Sequence, residues 1–236
     1  MIAGLSKAVT LYLSPLLALT AIFLTLFTYI SPTLMLHEQV ALLTVTPSLS
    51  LIQDGPQEDV DGPSLFLGVL GSCSRTSNNG SVTCTSVSIN PTYNTSALPK
   101  NAPNLLLSAP TTATPAFIAL AIFLSVLFFI TFTAISFRHK MSAKLAATLD
   151  KPALQRFSAW IGFFGFLIGI TSFLIVRMWF GKAVQDFNNT IMVLGQEGPK
   201  LVANLSNGFT MVWVGYAFYA VPVIISLSKL NVQASK

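Results

Sequence analysis

The sequence is short of charge, cysteine and histidine, and each shortage excludes a class of protein. Only 9% of its 236 residues are charged, whereas a soluble globular domain carries about 25%, so a large water-exposed domain is excluded. The two cysteines, Cys73 and Cys84, lie close together and suit one local disulfide better than a metal site. The two histidines, His37 and His139, leave few groups for acid–base catalysis. We therefore predict no enzyme, no cofactor and no metal.

The sequence has long apolar runs instead, since 53% of its residues are hydrophobic. A helix needs about 20 apolar residues to cross about 30 Å of hydrocarbon. Four segments of one domain meet this length, at about 9–30, 117–137, 157–178 and 209–228. The first follows Lys7 and could instead be a signal peptide. Its run is longer than an h-region and no A-x-A site follows, so we predict a retained span.

The charges predict the direction of the spans. The loop at about 138–156 carries five basic residues and one acid, Asp150; the basic residues are Arg138, Lys140, Lys144, Lys151 and Arg156. Lys7, Lys229 and Lys236 fall on the same side, which is cytosolic by the positive-inside rule. The other seven acids lie opposite: Glu38, Asp54, Glu58, Asp59, Asp61, Asp186 and Glu197. The basic residues thus set topology, and we predict no nucleic-acid partner.

Four N-x-[ST] sequons support this topology without using charge. They begin at Asn79, Asn94, Asn188 and Asn204, in two loops at about 31–114 and 180–207 that are both predicted to be extracellular. Each is a candidate glycosylation site, although Asn204 lies close to the fourth span. Both cysteines lie on this oxidising side. We therefore predict a plasma-membrane protein with cytosolic N- and C-termini.

The first extracellular loop has a β-like pattern. Segments 40–52, 64–72 and 81–89 combine alternation with β-branched residues, and RTSNNG between the last two is a hairpin-type connector. These segments predict a small antiparallel sheet. A Cys73–Cys84 bridge would pin two of its strands, with a redox switch as the alternative. Leu105 to Leu107 form an apolar triplet that packs under the sheet or touches the bilayer or a partner.

The second extracellular loop has apolar residues at helical intervals. We predict that the third span continues as a helix above the membrane, that Gly195 to Pro199 form a turn, and that the following segment is also helical. Arg177, at the outer end of the third span, either snorkels to the interface beside Trp179 or pairs with an acid and docks the sheet on the helices.

Gly68-Val-Leu-Gly71-Ser-Cys73, followed by Cys84, is similar to a motif in the first outer loop of claudin-like four-span proteins. With the four spans, the long first loop and the basic inner loop, the chain resembles the fungal Sur-seven/PalI family. The resemblance implies a membrane all-α, left-handed, claudin-like four-helix bundle with a small extracellular antiparallel β-sheet. Members are cortical plasma-membrane proteins linked to eisosome-type domains, cell-wall and membrane organisation, and ambient-pH signalling. A related group regulates calcium influx and membrane fusion in mating.

Three departures narrow what the resemblance implies. Ser72 stands where family members often have an aromatic residue, and the cytosolic tail is shorter than in the pH-signalling members. The outer loop also lacks the tryptophan of animal claudins. These departures count against pH-signalling and tight-junction roles.

The spans themselves carry packing signals. Gly162, Gly165 and Gly169 lie near one face of the third span, where small residues allow helices to approach closely. This face packs within the same bundle or forms an oligomer or partner interface. Pro15 and Pro222 are candidate kinks. The phenylalanines of the second and third spans suit lipid or sterol contact, and the basic loop suits anionic lipid. His37 and Glu38 supply only two ligands, too few for a structural metal site.

These features lead to three functional hypotheses. The first is a non-enzymatic organiser of cortical membrane domains that associates laterally with lipids and with other membrane proteins or itself. The second is an accessory or regulatory subunit of a larger complex, such as a wall-polymer synthase, channel or pH sensor. The third is a regulator of calcium influx or of cell fusion in mating.

Overall fold

The computed structural model describes residues 9–52, 60–105 and 113–234. Predictions that involve Lys7, Asp54, Glu58, Asp59 and Lys236, the side chain of Lys229, and the end of the Leu105–Leu107 triplet fall outside this description. Within it, the chain divides into two compact units. The helical unit comprises the described parts of Met1–Leu26, Phe117–Thr171 and Val212–Lys236, and the sheet unit comprises the described parts of Phe27–Ala116 and Ser172–Met211.

Four long helices follow the predicted spans. They are α1 (Ser14–Ile30), preceded by a π-helical segment at Val9–Leu13, α2 (Thr114–Ser136), α4 (Pro152–Leu194) and α5 (Asn207–Ala234). With Leu11–Leu13 of the π-helical segment counted with α1, all four are long and apolar enough to cross a membrane, which confirms the predicted number of apolar helices. A multi-pass membrane protein is the reading they support.

The connection between α2 and α4 is itself partly helical. A 3₁₀ turn at Arg138–Lys140 is followed by the short helix α3 (Ala143–Leu149), and α4 begins at Pro152. Proline suits a first helical position because it has no N–H to leave unpaired. Asp150, the single acid of this segment, accepts an ion pair from Arg138 at 2.6 Å.

Aromatic side chains form the core of the helical unit. Phe128 and Phe132 of α2 pack with Tyr219 and Val223 of α5 and with Ala21 of α1. The rings of Phe128 and Tyr219 meet edge to face at 5.5 Å, an arrangement that the charge distribution of aromatic rings favours. Pro222 lies inside α5 and removes one backbone donor there. Pro15 lies in α1 directly after the π-helical segment, so it stands inside a continuous helical run and not at a helix start.

The sheet unit contains five antiparallel strands in the order β4-β3-β2-β1-β5. They are β1 (Leu43–Pro47), β2 (Ser64–Leu67), β3 (Ser72–Arg75), β4 (Thr83–Cys84) and β5 (Leu201–Leu205). One face buries Leu43 and Val45 opposite Leu67 and Leu65. The other face buries Phe66 against Cys73, with Ala41 and Val82 beside them. The sheet is therefore covered on both sides of β2.

The structure corrects two predictions about this sheet. The predicted strand 64–72 is two strands, because residues 68–71 form a turn. The segment after Pro199, predicted as a helix, is strand β5, and it pairs with β1 along all five residues from Leu43↔Leu205 to Pro47↔Leu201. Pairing with a partner more than 150 residues away outweighs a helical spacing that one short segment displays. The predicted helical extension of the third span and its end before Gly195 agree with α4.

Candidate functional site

The motif glycines form the turn that joins β2 to β3. The Gly68 N–H donates to the Gly71 carbonyl at 2.9 Å, which closes a four-residue turn. A Cβ on Gly68 would lie 2.0 Å from the Ser31 carbonyl oxygen, so only glycine fits against the end of α1. Gly71 has φ +152° and lies beside Thr85 Oγ1. Both glycines are thus required by geometry, one by close approach and one by its dihedral.

The disulfide follows directly after this turn. Cys73 and Cys84 are opposite each other in the β3–β4 pairing and are joined in the structure, in agreement with the predicted pairing. Cys73 is buried and Cys84 is exposed. The bond closes a loop with a sequence separation of 11. Chain-entropy arithmetic gives about 3 kcal/mol of stabilisation for a loop of this size, which is substantial for a sheet with a small core.

His37 lies against the disulfide, a contact that the sequence analysis did not predict. Its Nδ1 is 3.5 Å from Cys84 Sγ and 3.8 Å from Cys73 Sγ, and it also contacts the Pro32 carbonyl oxygen. His37, Cys73 and Cys84 place three potential metal-ligand atoms within 4.8 Å of one another. The sequence shows only that a histidine follows the first apolar run. The folding of the strands brings the two cysteines to it.

Glu38 points to a different partner from its neighbour. Its carboxylate accepts an ion pair from Arg75 at 3.2 Å, and the Arg75 guanidinium lies 5.8 Å above the centre of the Phe66 ring. The structure therefore gives the His37–Glu38 pair, weighed above as a metal site, two separate roles. His37 contacts the disulfide, and Glu38 fixes the end of β3.

The four predicted sequons differ in how their asparagines are used. Asn79, Asn94 and Asn204 are exposed. Asn188 is half-buried in α4, where its Nδ2 donates to the Ala203 carbonyl at 2.8 Å and its Oδ1 accepts from the Ala203 N–H at 2.9 Å. This amide forms a two-bond clamp on β5. Asn188 thus has a structural role that its sequon did not indicate.

Two further side chains fix the sheet unit. Tyr93 donates to the Gly68 carbonyl at 3.1 Å, and its ring meets that of Phe180 edge to face. Burial raises the pKa of the Tyr93 hydroxyl above the ordinary value. Asn207, at the start of α5, donates to the Gln39 carbonyl at 2.6 Å. The motif turn is therefore fixed through Gly68 from two directions, by Tyr93 and by the end of α1.

In the helical unit, the three glycines of the third span are covered by side chains of the same unit. The Phe128 ring covers Gly162, Leu124 and the Tyr219 hydroxyl lie at Gly165, and the Tyr216 hydroxyl covers Gly169. A Cβ on Gly169 would be 1.7 Å from Tyr216 Oη. Of the two alternatives stated above, this geometry favours packing within the bundle over an oligomer interface.

A small hydroxyl-lined cavity lies in the same unit. Its volume is about 10 Å³, and it is lined by Ala21, Ile22, Thr25, Ser125, Tyr216 and Tyr219. A cavity of this volume has room for about one water molecule. It does not provide a path for a solute.

Arg177 is exposed on α4, and no ion pair joins it to an acid among the described residues. The docking alternative, an ion pair between Arg177 and an acid of the sheet unit, thus gains no support from the described acids. Trp179 beside it is also partly exposed. The basic residues of the 138–156 segment are mostly exposed as well. The exception is Arg138, which is half-buried and paired with Asp150 as described above.

Comparison with known proteins identifies no relative: no family model, no curated protein and no solved structure matches this chain. The chemistry of the site therefore has to be read from its own residues. Cys73 and Cys84 are bonded to each other, and the His37 nitrogen beside them contacts the Pro32 carbonyl oxygen.

Proposed function

We propose that this chain is a non-enzymatic four-span plasma-membrane protein of the claudin-like type, which organises its membrane by lateral association with lipids and with other membrane proteins, including copies of itself. The observation that carries the proposal is the apolar exterior of the long helices. Phe123 and Ile130 on α2, and Trp160 and Phe164 on α4, are exposed, while the glycines that could have formed an interface are covered internally.

The two exposed tryptophans of α4 support a membrane placement. Trp160 and Trp179 are 41–49% exposed and stand 19 residues apart (179 − 160) in one continuous helix. At about 1.5 Å per residue, this separation is about 28 Å, close to the hydrocarbon thickness between two interfacial tryptophan belts. Helix α4 has 43 residues, so the part after Trp179 would extend beyond the bilayer.

Charge and sequons support an orientation with the sheet unit outside the cell. The 138–156 segment carries five basic residues against one acid, whereas the basic residues of the sheet unit are accompanied by acids such as Glu38, Asp61 and Asp186, and Asn79 and Asn94 are exposed there. A disulfide also persists best in an oxidising compartment. Both termini would then be cytosolic.

The form of the motif supports the Sur-seven/PalI resemblance. Gly68, Gly71, Cys73 and Cys84 act as one structural element, a glycine turn followed by a disulfide-pinned hairpin. We therefore extend the proposal to the family setting: fungal cortical domains of the eisosome type and organisation of the cell wall. Contact with sterol or anionic lipid belongs to the same proposal.

A second candidate, an accessory subunit of a larger membrane complex, is favoured by the tip of α4. Met192, Val193 and Leu194 are exposed there, with Val193 87% exposed. An exposed apolar group outside the bilayer is a common mark of protein contact.

The orientation can be tested with two single cysteines at exposed positions, Lys100→Cys and Ser142→Cys. Because the native cysteines are joined, only the new thiol reacts with a membrane-impermeant maleimide. We expect intact cells to label Lys100→Cys, and Ser142→Cys only after permeabilisation. The reverse pattern would mean that the sheet unit is cytosolic.

Lateral association can be tested with cysteines on the helix exteriors. We expect Phe123→Cys or Phe164→Cys to give crosslinked dimers in native membranes, whereas Phe128→Cys, at a position that is 0% exposed, serves as the buried control. A fixed stoichiometric partner in mild detergent, with no self-crosslinking, would replace the organiser proposal by the accessory-subunit candidate.

A further inference from the structure

Three consecutive apolar side chains are exposed directly after α1. Leu34, Met35 and Leu36 are 57%, 40% and 37% exposed, whereas the residues at 31–33 and 40–43 are buried. We name residues 34–36 the α1-loop triplet. A contiguous group of exposed apolar side chains is a common mark of an interaction surface, so the triplet needs a partner that the chain itself does not supply.

The backbone holds the α1-loop triplet in place at both ends. The Leu34 N–H donates to the Ile30 carbonyl at 3.1 Å, which ties the start of the triplet to the last residue of α1. The Leu36 carbonyl accepts from the N–H groups of Gln39 and Val40 at 3.2 and 3.1 Å. The three side chains are therefore presented by a hydrogen-bonded loop.

Leu36 has an unfavourable backbone conformation as well as an exposed side chain. Its φ is +55°, and it is the one residue other than glycine with a positive φ in the part of the chain that the structure describes. Glycine or asparagine would adopt this φ at lower cost, so the turn does not explain a leucine here. In water the exposed side chain adds a second unfavourable contribution. An apolar surrounding removes that contribution.

The length of the first span places the α1-loop triplet at a membrane surface. The span Leu11–Ile30 has 20 residues, which at about 1.5 Å per residue cover about 30 Å, the thickness of the hydrocarbon layer. The headgroup region adds about 5–7 Å on each side. Leu34 is bonded to Ile30 and lies within about one helical turn, about 5 Å, of the end of the span. The triplet is thus at the depth of the headgroups.

We propose that the α1-loop triplet inserts into the phospholipid leaflet nearest the C-terminal end of α1, with its side chains at the boundary between headgroups and acyl chains. Interfacial helices bury their apolar faces at the same depth, and the triplet continues the apolar exterior of α1 along the chain. The nearest acid, Glu38, is paired with Arg75 at 3.2 Å, which offsets its charge near the headgroups. The inference deepens the proposed lateral association with lipid and rests on it.

The test uses the full chain in phosphatidylcholine vesicles whose acyl chains carry bromine either near the headgroup or near the chain end. Because the native cysteines are joined, one new cysteine takes a thiol-reactive fluorophore. Three positions have matched exposure: Leu34→Cys at 57%, Ile89→Cys in the loop after β4 at 58%, and Phe123→Cys near the middle of α2 at 58%. We expect the Leu34 label to lose more fluorescence with shallow bromine, the Phe123 label to lose more with deep bromine, and the Ile89 label to lose none.

The three labels separate failure of this inference from failure of the proposed function. An unquenched Leu34 label beside a quenched Phe123 label would overturn the inference alone, whether water or a second copy of the chain surrounds the loop. If neither label is quenched, the helices are not in lipid and the proposed function fails as well. Quenching at Ile89 equal to that at Leu34 would overturn the assignment of lipid contact to the triplet.

A second variant tests the side chain of Leu36. Leu36→Asn keeps a residue that tolerates a positive φ but removes the apolar group. In the Leu34→Cys background we expect it to decrease the quenching by shallow bromine, with unchanged circular dichroism. Val87→Asn, at another exposed apolar position of the sheet unit, is the control and should leave the quenching unchanged. Unchanged quenching in Leu36→Asn, or loss of the fold, which would make Leu36 a packing residue, would overturn the proposal.

Discussion

The helical unit and the sheet unit are fixed by different kinds of interaction. In the helical unit, aromatic groups pack directly on glycines, as Phe128 does on Gly162 and Tyr216 on Gly169. In the sheet unit, the disulfide, the paired strands and side-chain amides hold the segments together, as Asn188 does for Ala203. Helices that are apolar all round gain little by hiding apolar surface from lipid and depend on close fit. A small sheet depends on crosslinks and satisfied polar groups.

The two units should therefore tolerate different changes. The helical unit should be sensitive to added volume, and the sheet unit to lost bonds. A change of either kind, made in one unit, should leave the other largely intact. Amide hydrogen exchange followed by mass spectrometry can measure this, because it reports protection separately for each segment.

The largest effect is expected from removing the disulfide. Cys73→Ser combined with Cys84→Ser loses about 3 kcal/mol of loop-closure stabilisation, which corresponds to roughly 100-fold faster exchange in β1, β2 and β3. We expect α2 to keep its protection. Equal loss of protection in α2 would show that the two units unfold together.

The next largest effect is expected from adding one methyl group in the helical unit. Gly169→Ala places a Cβ against the Tyr216 hydroxyl and should cost about 1–3 kcal/mol, the usual cost of overpacking. Adding Tyr216→Phe removes the clashing oxygen and should recover part of this cost. Gly181→Ala in the same helix has no neighbour nearer than 3.9 Å and serves as the control. Thermal unfolding in detergent measures all three, and a neutral Gly169→Ala would contradict close packing at this position.

A smaller effect is expected from breaking the Asn188 clamp. Asn188→Ala removes two hydrogen bonds and leaves the Ala203 backbone groups without them, at about 1–2 kcal/mol. Faster exchange should be confined to β5 and its partner β1. Thr190→Ala abolishes the same sequon but keeps the clamp, so it separates loss of a glycan from loss of the amide. If both variants behave alike, the clamp contributes no stability.

The smallest effect is expected at the Arg75–Glu38 ion pair. Both side chains are partly exposed, and pairs of this kind contribute about 0.2–1 kcal/mol. A double-mutant cycle with Arg75→Met and Glu38→Gln should give a coupling energy in this range that decreases with added salt. A coupling well above it would place electrostatics among the main interactions of the sheet unit.

The four apolar helices could be predicted from the sequence because lipid imposes a length and a composition that few other structures share. The disulfide was equally predictable, since the chain has only two cysteines and both lie in one loop. These features depend on local composition. No knowledge of the distant chain is needed to recognise them.

The features that escaped prediction all depend on distant residues. β5 is a strand because β1 lies beside it, and its five residues alone fit a helix as well. The run from Ser64 to Ser72 is continuous in β character, and its turn shows only in how Gly68 and Gly71 are packed. The contacts of His37 with the disulfide and of Asn188 with Ala203 join segments 36 and 15 residues apart. No spacing rule connects them.

The Asn188 clamp also protects one edge of the sheet from pairing with another copy of the chain. β5 is an end strand of the sheet, and an uncovered end strand is a template on which another chain can add a strand of its own. The clamp occupies both outward-facing backbone groups of Ala203 in the middle of β5, while the opposite end strand, β4, has only two residues. Many copies could therefore gather in one membrane patch without joining their sheets into a fibre.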